Sequence, residues 1–368
     1  MPVKPPKSRK ASSIIKPGGV VGILGGGQLG RMTALAAASL GYRSHVFSDE
    51  MGSPGTQVAS ITTVAGYDDR AALEGFALSV DVATCEFENV PAAAIAAITA
   101  ITPFHPAATV FATCQDRLVE KNFVVAAGVG TAPYRAVDSY DDLVGALSAI
   151  GTPAVLKTRR FGYDGKGQAR IMRPSGAMAA WIAIDRRPAI VEGFVRFKRE
   201  LSVVVARGAD GSVAAYDAVE NIHVDHILDV TLVPARVSAR TARRAHEAAL
   251  ALAERLELVG LIAVEMFETE EGGILVNEMA PRPHNSGHWT IEACVVSQFE
   301  QHIRAVAGWP LGDPSRHSDA VMENIIGAEV EQWQALSQEK AGLHIYGKRF
   351  ARPSRKMGHI TRLSPLTK

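Results

Sequence analysis

Residues 260–280 read GLIAVEMFETEEGGILVNEMA: two apolar runs, each carrying a glutamate, joined by the polar turn ETEEG. Aliphatic and aromatic runs flanking a cluster of turn residues predict a β-hairpin. With the turn centred near Glu271 and Gly272, Glu265 and Glu278 fall opposite each other on neighbouring antiparallel strands, side chains on one face. Two unshielded carboxylates at that separation repel. A divalent cation removes the penalty, and hard oxygen ligands suit magnesium bridging nucleotide phosphates. Asn277 adjoins the pair with a neutral oxygen. The competing reading is two solvated acids on an exposed sheet face.

Working back along the chain, FGYDGKGQ (161–168) interrupts the strand-like runs PAVLK and ARIM. Lys157 ends the first run, where the sheet can aim it at phosphate. The glycines that follow are free to adopt positive φ and to present N–H groups. The spacing is not G-x-x-x-x-G-K-[ST], so this is no P-loop; an ordinary hairpin loop is the alternative. Just past the acid hairpin, APRPHNSGHWT (280–290) combines chain-stiffening prolines with Arg282, His284 and Asn285, a donor set suited to a small planar anion. His284 and His288 are four apart, but Pro283 and Gly287 argue against a helical metal pair. Near the end, Lys348, Arg352, Arg355 and Lys356 form a basic cluster fitted to a phosphate monoester.

At the other end, VVGILGGGQLGRMTALAAASLGYRSHVFSD reads strand, glycine turn, helix, strand: one βαβ unit. Gly25, Gly27 and Gly30 fit G-x-G-x-x-G, and Asp49 stands where a ribose-binding acid is expected, which alone says nicotinamide dinucleotide. The physics is broader, because a glycine turn at a helix N-terminus accepts any phosphate or anion. Glu86 and Glu88 in CEFENVP end a strand of the same unit, where ligands of open α/β sheets gather.

The 368 residues are 47% hydrophobic with net charge +1, long enough for two or three domains and without the basic face a nucleic acid needs. No apolar run is long enough for a membrane span. The first 17 residues are basic and proline-rich without a signal-like apolar stretch, and are expected to be a tail. Cys85, Cys114 and Cys294 form no Cys-x-x-Cys pair, so neither a zinc site nor a disulfide framework is expected and a reducing cytoplasm fits.

Taken in order, GGGQLGR, CEFENVP, GYDGKGQ, NEMAPRPHNSGHWT with SQFEQH, and YGKR with RKMGH resemble the N5-carboxyaminoimidazole ribonucleotide synthetases, ATP-grasp enzymes of purine biosynthesis. The resemblance runs from about Gly19 to His359. It implies an α/β fold, α+β in the ATP-binding part. A Rossmann-like pre-ATP-grasp domain (18–117) that binds no dinucleotide would precede an ATP-grasp domain (118–308, lid lobe about 128–194) and a small C-terminal subdomain (309–368). By the same resemblance Arg117 and Lys157 face the ATP phosphates, and Gly162, Tyr163, Asp164, Gly165, Lys166, Gly167 and Gln168 form a closing loop. Glu192, Gly193, Phe194 and Val195 lie beside adenine, Glu200 meets ribose, and His223 is a further contact. Glu265 and Glu278 hold Mg2+ beside Asn277, while Arg282, His284 and Asn285 position bicarbonate. The aminoimidazole ribonucleotide is met by Gln28, Leu29, Glu86 or Glu88, Lys348, Arg355 and Lys356. A homodimer and a functional mutase partner are expected, with no nucleic acid or membrane. Three rivals stand beside this reading: a formate-dependent glycinamide ribonucleotide transformylase, whose loop typically reads GELG where this chain has GQLG; an NAD-dependent oxidoreductase; and a non-catalytic nucleotide-binding subunit.

Overall fold

The structure, a computed structural model, describes residues 14–162 and 166–367. Tyr163, Asp164 and Gly165 of the expected closing loop, and most of the basic leader, lie outside the described residues.

Among these residues the strands form three sheets. The first joins β1 (Val20–Leu24), β2 (Arg43–Ser48), β3 (Ile61–Val64) and β4 (Val82–Cys85) in the order β3-β2-β1-β4, all parallel. β1 is buried along its whole length, as a parallel strand with both faces covered must be. The helices of this part are α1 (Gln28–Ser39), α2 (Arg70–Leu78), α3 (Ala92–Thr99) and α4 (Ala108–Cys114). Leu24, Phe47, Phe76, Ile95 and Phe111 fill one side of the sheet. α5 (Arg117–Ala126) then leads out, its first turn capped by the Asp116 carboxylate, which accepts from Leu118 N and Val119 N.

A small antiparallel sheet follows, ordered β5-β8-β6-β7 from β5 (Tyr134–Val137), β6 (Ala154–Thr158), β7 (Gln168–Ile171) and β8 (Ala189–Gly193). α6 (Tyr140–Ile150) and α7 (Ala177–Ala183) cover it, and Leu143, Leu156, Trp181 and Val191 share its core.

The third sheet runs β14-β13-β9-β11-β12-β15-β17-β16, with β10 paired to β9. Its strands are β9 (Phe197–Arg207), β10 (Val213–Ala215), β11 (Val219–Val224), β12 (Ile227–Val233), β13 (Gly260–Thr269), β14 (Ile274–Ala280), β15 (Asp319–Ile326), β16 (Gly342–Ile345) and β17 (Lys356–Ser364). Every pairing is antiparallel. α8 (Ala239–Arg255) lays Ala245, Ala249 and Leu252 against Val203 and Val205 of β9. α9 (Thr290–Ala293), α10 (Gln298–Ala307) and α11 (Trp333–Leu336) complete the fold. The strands of the last 60 or so residues therefore continue the sheet that contains the acid hairpin, joined through β12 and β15.

Among the described residues no helix is long and apolar enough to cross a membrane. All three cysteines are free and buried. Burial, the dominant cause, pushes each thiol far above its ordinary value, Cys294 to about 12, so all three are protonated and unreactive.

Candidate active site

Glu265 pairs directly with Glu278 as the sequence predicts, but by another route. Beside the turn Met266, Phe267 and Glu268 pair with Val276, Leu275 and Ile274, one position off the predicted register, and a β-bulge between Glu265 and Met266 restores the pairing of the two acids. Its turn closes through Thr269 N to Gly273 O, 2.9 Å, and Gly272 N to Thr269 O, 3.0 Å, with Gly272 at φ +78 supplying the left-handed corner. Burial first, then the facing Glu278 charge, pushes Glu265 up to about 8. Glu278 behaves oppositely. Burial would raise its pKa, but the Arg117 guanidinium, whose Nη1 donates to Glu278 Oε2 at 3.0 Å, together with Lys157 and Lys121, holds it below the ordinary carboxylate value. Two registered carboxylates, one of them reluctant to ionise in the presence of the other, with the Asn277 amide alongside, form an all-oxygen donor set that fits magnesium.

Lys157, on β6, donates to Glu192 Oε2 at 3.0 Å and reaches Asn277 Oδ1 at 3.5 Å, so the small sheet aims an ammonium at the acid hairpin. Glu192 is buried; that alone would raise its pKa, yet Lys157 and Lys121 lower it. Sequence reasoning missed Lys121. Only 1% of its side chain is exposed, and Nζ donates to Thr131 Oγ1 and Asn277 O, both 2.8 Å, and to Val276 O at 3.2 Å. Its neighbour Glu120, pushed up to about 8 mainly by burial, accepts from Met279 N. In the sequence, RLVEKNFVVA reads as one more amphipathic helix, and nothing local marks its charges as buried.

Gly162 and Gly167 flank the opening loop. Gly167 sits at φ +70, and a Cβ there would come within 2.6 Å of Thr158 Oγ1. Glu192 to Val195 follow β8 into the cleft, and Glu200 Oε2 stands 3.1 Å from His223 Nδ1. Burial would lower the His223 pKa, but the Glu200 carboxylate outweighs it and raises the value.

The proline-bounded loop supplies the next wall. Arg282 Nη2 donates to Glu88 Oε2 at 2.9 Å. His284 is neutral, because burial, then Arg282, Lys356 and His223, drive its pKa well below the ordinary value. A chain of donors runs from Asn221 Nδ2 to Ser202 Oγ, 2.9 Å, from Ser202 Oγ to Ser286 Oγ, 2.8 Å, and on to His284 Nδ1, 2.8 Å. With Nδ1 accepting, the hydrogen sits on Nε2, 3.3 Å from Glu265 Oε1. Asn285 and Asn324 exchange amide hydrogen bonds of 2.9 and 2.7 Å, leaving Asn285 one N–H and one lone pair for a ligand. Ser202, Asn221, Ser286 and Asn324 carry no sequence signal; their roles appear only when strands far apart in the chain meet.

The amino-terminal glycine turn departs from a nucleotide cradle. Gly27 N donates to Glu86 Oε1 at 2.5 Å and Gly30 N to Glu86 Oε2 at 2.7 Å. The N–H groups that a dinucleotide's pyrophosphate would take are already held by a carboxylate of this chain, which overturns the nicotinamide reading of Gly25, Gly27, Gly30 and Asp49.

These groups meet in a cavity of about 600 Å³. Its wall includes Gln28, Leu29, Glu86, Glu88, Arg117, Lys157, Gly162, Lys166, Gln168, Glu192 to Val195, Glu200, His223, Glu265, Asn277, Glu278, Arg282, His284, Asn285 and Lys356. Lys348 and Arg355 are not in that wall; they line a neighbouring cavity of about 260 Å³ with Arg349, Arg352 and the Glu50–Pro54 loop. Lys348 still reaches the main site, donating to the Lys356 carbonyl at 2.5 Å.

A small antiparallel lid sheet facing an acid hairpin of a larger sheet, with nucleotide-sized space between, defines an ATP-grasp protein. Residues 122–299 match the ATP-grasp domain family, 19–115 the ribonucleotide synthetase preATP-grasp domain, and 320–367 the phosphoribosylaminoimidazole carboxylase C-terminal domain. The chain is 50% identical over 356 residues to an N5-carboxyaminoimidazole ribonucleotide synthase of Brucella melitensis, covering 96% of this chain and 98% of that one. A crystal structure of an N5-carboxyaminoimidazole ribonucleotide synthetase complexed with ADP superposes with a TM-score of 0.93 at 42% identity, over 95% of this chain and 94% of that one. The Aspergillus clavatus synthase, in complex with ADP and 5-aminoimidazole ribonucleotide, gives 0.89 at 31% identity, over 95% and 94%. The chain belongs to the N5-carboxyaminoimidazole ribonucleotide synthase family.

Proposed function

We propose that the protein carboxylates 5-aminoimidazole ribonucleotide with bicarbonate at the expense of ATP, giving N5-carboxyaminoimidazole ribonucleotide, ADP and phosphate in purine biosynthesis. The observation that carries this reading is the single cavity in which the registered Glu265–Glu278 pair, Lys157 and Arg117 face the Arg282–Asn285 loop. ATP and the carboxyl donor can then meet without diffusing between sites.

A bicarbonate oxygen attacks the γ-phosphorus, the bond to the β–γ bridging oxygen breaks, and ADP leaves with its electron pair. The exocyclic amine then attacks the carboxyl carbon of carboxyphosphate, phosphate departs, and the amine gives up a proton. Lys157 and Arg117 place fixed positive charge where the phosphoryl oxygens gather negative charge. Arg282, the Nε2–H of neutral His284 and the remaining Asn285 N–H orient bicarbonate. Glu192 to Val195 border adenine, and Glu200 with His223 takes the ribose hydroxyls. Glu265 and Glu278 beside Asn277 would hold magnesium, which would supply charge neutralisation for the phosphates. By the family resemblance, the loop that follows Gly162 would close over the cavity and keep water from an intermediate that hydrolyses readily.

Because Glu86 occupies the glycine turn, the ribonucleotide phosphate is assigned to the basic side: Lys356 in the main cavity, Lys348 between the two, Arg355 in the second. Gln28, Leu29 and Glu86 or Glu88 would then border the aminoimidazole. The family reading adds a cytoplasmic homodimer whose product passes to a mutase, which sedimentation and a coupled assay would test.

The deciding experiment measures ADP release with magnesium, ATP and labelled bicarbonate, with and without the ribonucleotide. Ribonucleotide-dependent turnover matched by label in an acid-labile product establishes the reaction. ATP binding without such turnover redirects it to another acceptor amine.

A further inference from the structure

Behind the anion loop three metal-ligating side chains converge from three elements. Glu292 comes from α9, His344 from β16 and His359 from β17, and one ligand atom from each lies within 4.8 Å of the others. His344 and His359 are direct cross-strand partners, their rings stacked at 4.6 Å and 14°. His359 is fully buried, and its Nδ1 shares a 2.8 Å hydrogen bond with Tyr346 OH. With Nδ1–H donating to the tyrosine oxygen, Nε2 is left as a lone-pair ligand, the support that orients a ligating imidazole. His359 Nε2 and Glu292 Oε2 are both buried without a hydrogen-bond partner among the described residues. Buried polar atoms are ordinarily satisfied, so two orphans in one cluster are an observation in need of a ligand. The backbone also makes room: a Cβ on Gly342 would fall 2.4 Å from Glu292 Cγ. His344 is 32% exposed and opens the cluster to solvent.

We propose that Glu292, His344 and His359 bind one divalent transition-metal ion of borderline softness, zinc by preference. Two imidazoles and one carboxylate with a position left for water is a zinc donor set, and too poor in oxygen for magnesium or calcium. Zinc ligand atoms at about 2.0–2.1 Å stand roughly 3.4 Å apart, so coordination needs side-chain shifts of about an ångström. The ion replaces the His344 Nε2 to Glu292 Oε1 hydrogen bond. The nearby His288 stays outside the set, because its Nδ1 accepts from Gln298 and its hydrogen therefore sits on Nε2. An occupied site fastens β16 and β17 to the segment that follows His284 and Asn285, pinning one wall of the cavity.

The test uses the full-length, tag-free chain stripped with a chelator and kept in excess magnesium so that the Glu265–Glu278 pair is filled. Zinc is titrated against a chromophoric chelator, and cobalt is followed by its visible bands. One zinc equivalent per chain at micromolar affinity or tighter, weakened at least about tenfold in His344→Ala and in Glu292→Gln but unchanged in Glu278→Gln, supports the site. Cobalt bands of a low-coordinate nitrogen–oxygen site in the wild type support it without any variant. Sub-stoichiometric zinc, equal binding by the His344→Ala and Glu292→Gln chains, or cobalt that stays hexa-aquo overturns it and leaves an internally hydrogen-bonded cluster.

Discussion

Two glycine-rich turns, one at Gly25–Gly30 and one flanked by Gly162 and Gly167, look alike in sequence and have opposite fates. In the first, the glycines make room for a side chain of the protein itself: a Cβ on Gly25 would lie 2.3 Å from Glu86 Cγ, and one on Gly27 2.5 Å from Glu86 Oε1. In the second, Gly162 shares the wall of the large cavity with Arg117, Lys157 and the acid hairpin, and no carboxylate among the described residues lies against it, while Gly167 packs on Thr158. A glycine pattern says that something approaches the backbone closely. Whether that something is a ligand depends on charges supplied from elsewhere in the chain.

The sharpest way to break the contrast is Glu278→Gln. If the second turn serves phosphate transfer, this variant should fold, melt within a few degrees of wild type and lose at least about 10³-fold in magnesium-dependent ADP release; turnover near wild type would remove the acid hairpin from the chemistry. Next in size is Glu86→Ala, which strands the Gly27 and Gly30 N–H groups and should cost about 2–4 kcal/mol in urea unfolding. Equilibrium dialysis should find its ATP affinity within twofold of wild type and no NADH binding; tight NADH binding would mean the turn is a nucleotide cradle after all.

With the first turn plugged, the substrate phosphate must be held elsewhere, and Arg355→Ala sharpens that corollary. Its KM for the ribonucleotide should rise about tenfold, worth about 1.4 kcal/mol, with kcat and the KM for ATP unchanged. An effect on ATP alone would move Arg355 to the nucleotide. The smallest effect is on pH. Glu265 ionises near 4.5 in the unfolded chain and near 8 in the folded one, so across that window the native state keeps a proton the unfolded chain has lost, and stability falls as pH rises. If magnesium binds the Glu265–Glu278 pair as proposed, it would offset this loss by stabilising the ionised form. The magnesium-induced rise in Tm should therefore grow by about 1–3 °C between pH 6 and pH 8, and Glu265→Gln should flatten it.

What was legible in the sequence follows the same divide. The hairpin itself came from one turn and a period of two, and Glu265 could be paired with Glu278 before any coordinates, but the β-bulge that produces the pairing was not legible: the turn-side register, continued regularly, would set Glu265 opposite Asn277. Lys157 and Arg282 could be found because each abuts a strand end or a proline. The Glu86 plug could not, because its partners are 56 and 59 residues away and no periodicity links a strand-end acid to a distant helix N-terminus. Lys121 and the Asn221–Ser202–Ser286 relay escaped for that reason too: their chemistry is set by strands that become neighbours only in the folded sheet. The same distance in sequence hid the division of the basic cluster, with Lys356 facing one cavity and Arg355 the next.

The three sealed thiols have a practical corollary for bioconjugation. Cys85, Cys114 and Cys294 are buried and protonated, so maleimide chemistry on the native chain should be sluggish. Met172, immediately after β7 and 67% exposed, can be exchanged for cysteine to give one fast-reacting handle on the small sheet. A fluorophore attached there would test whether the small sheet moves when nucleotide binds, without first engineering a cysteine-free background.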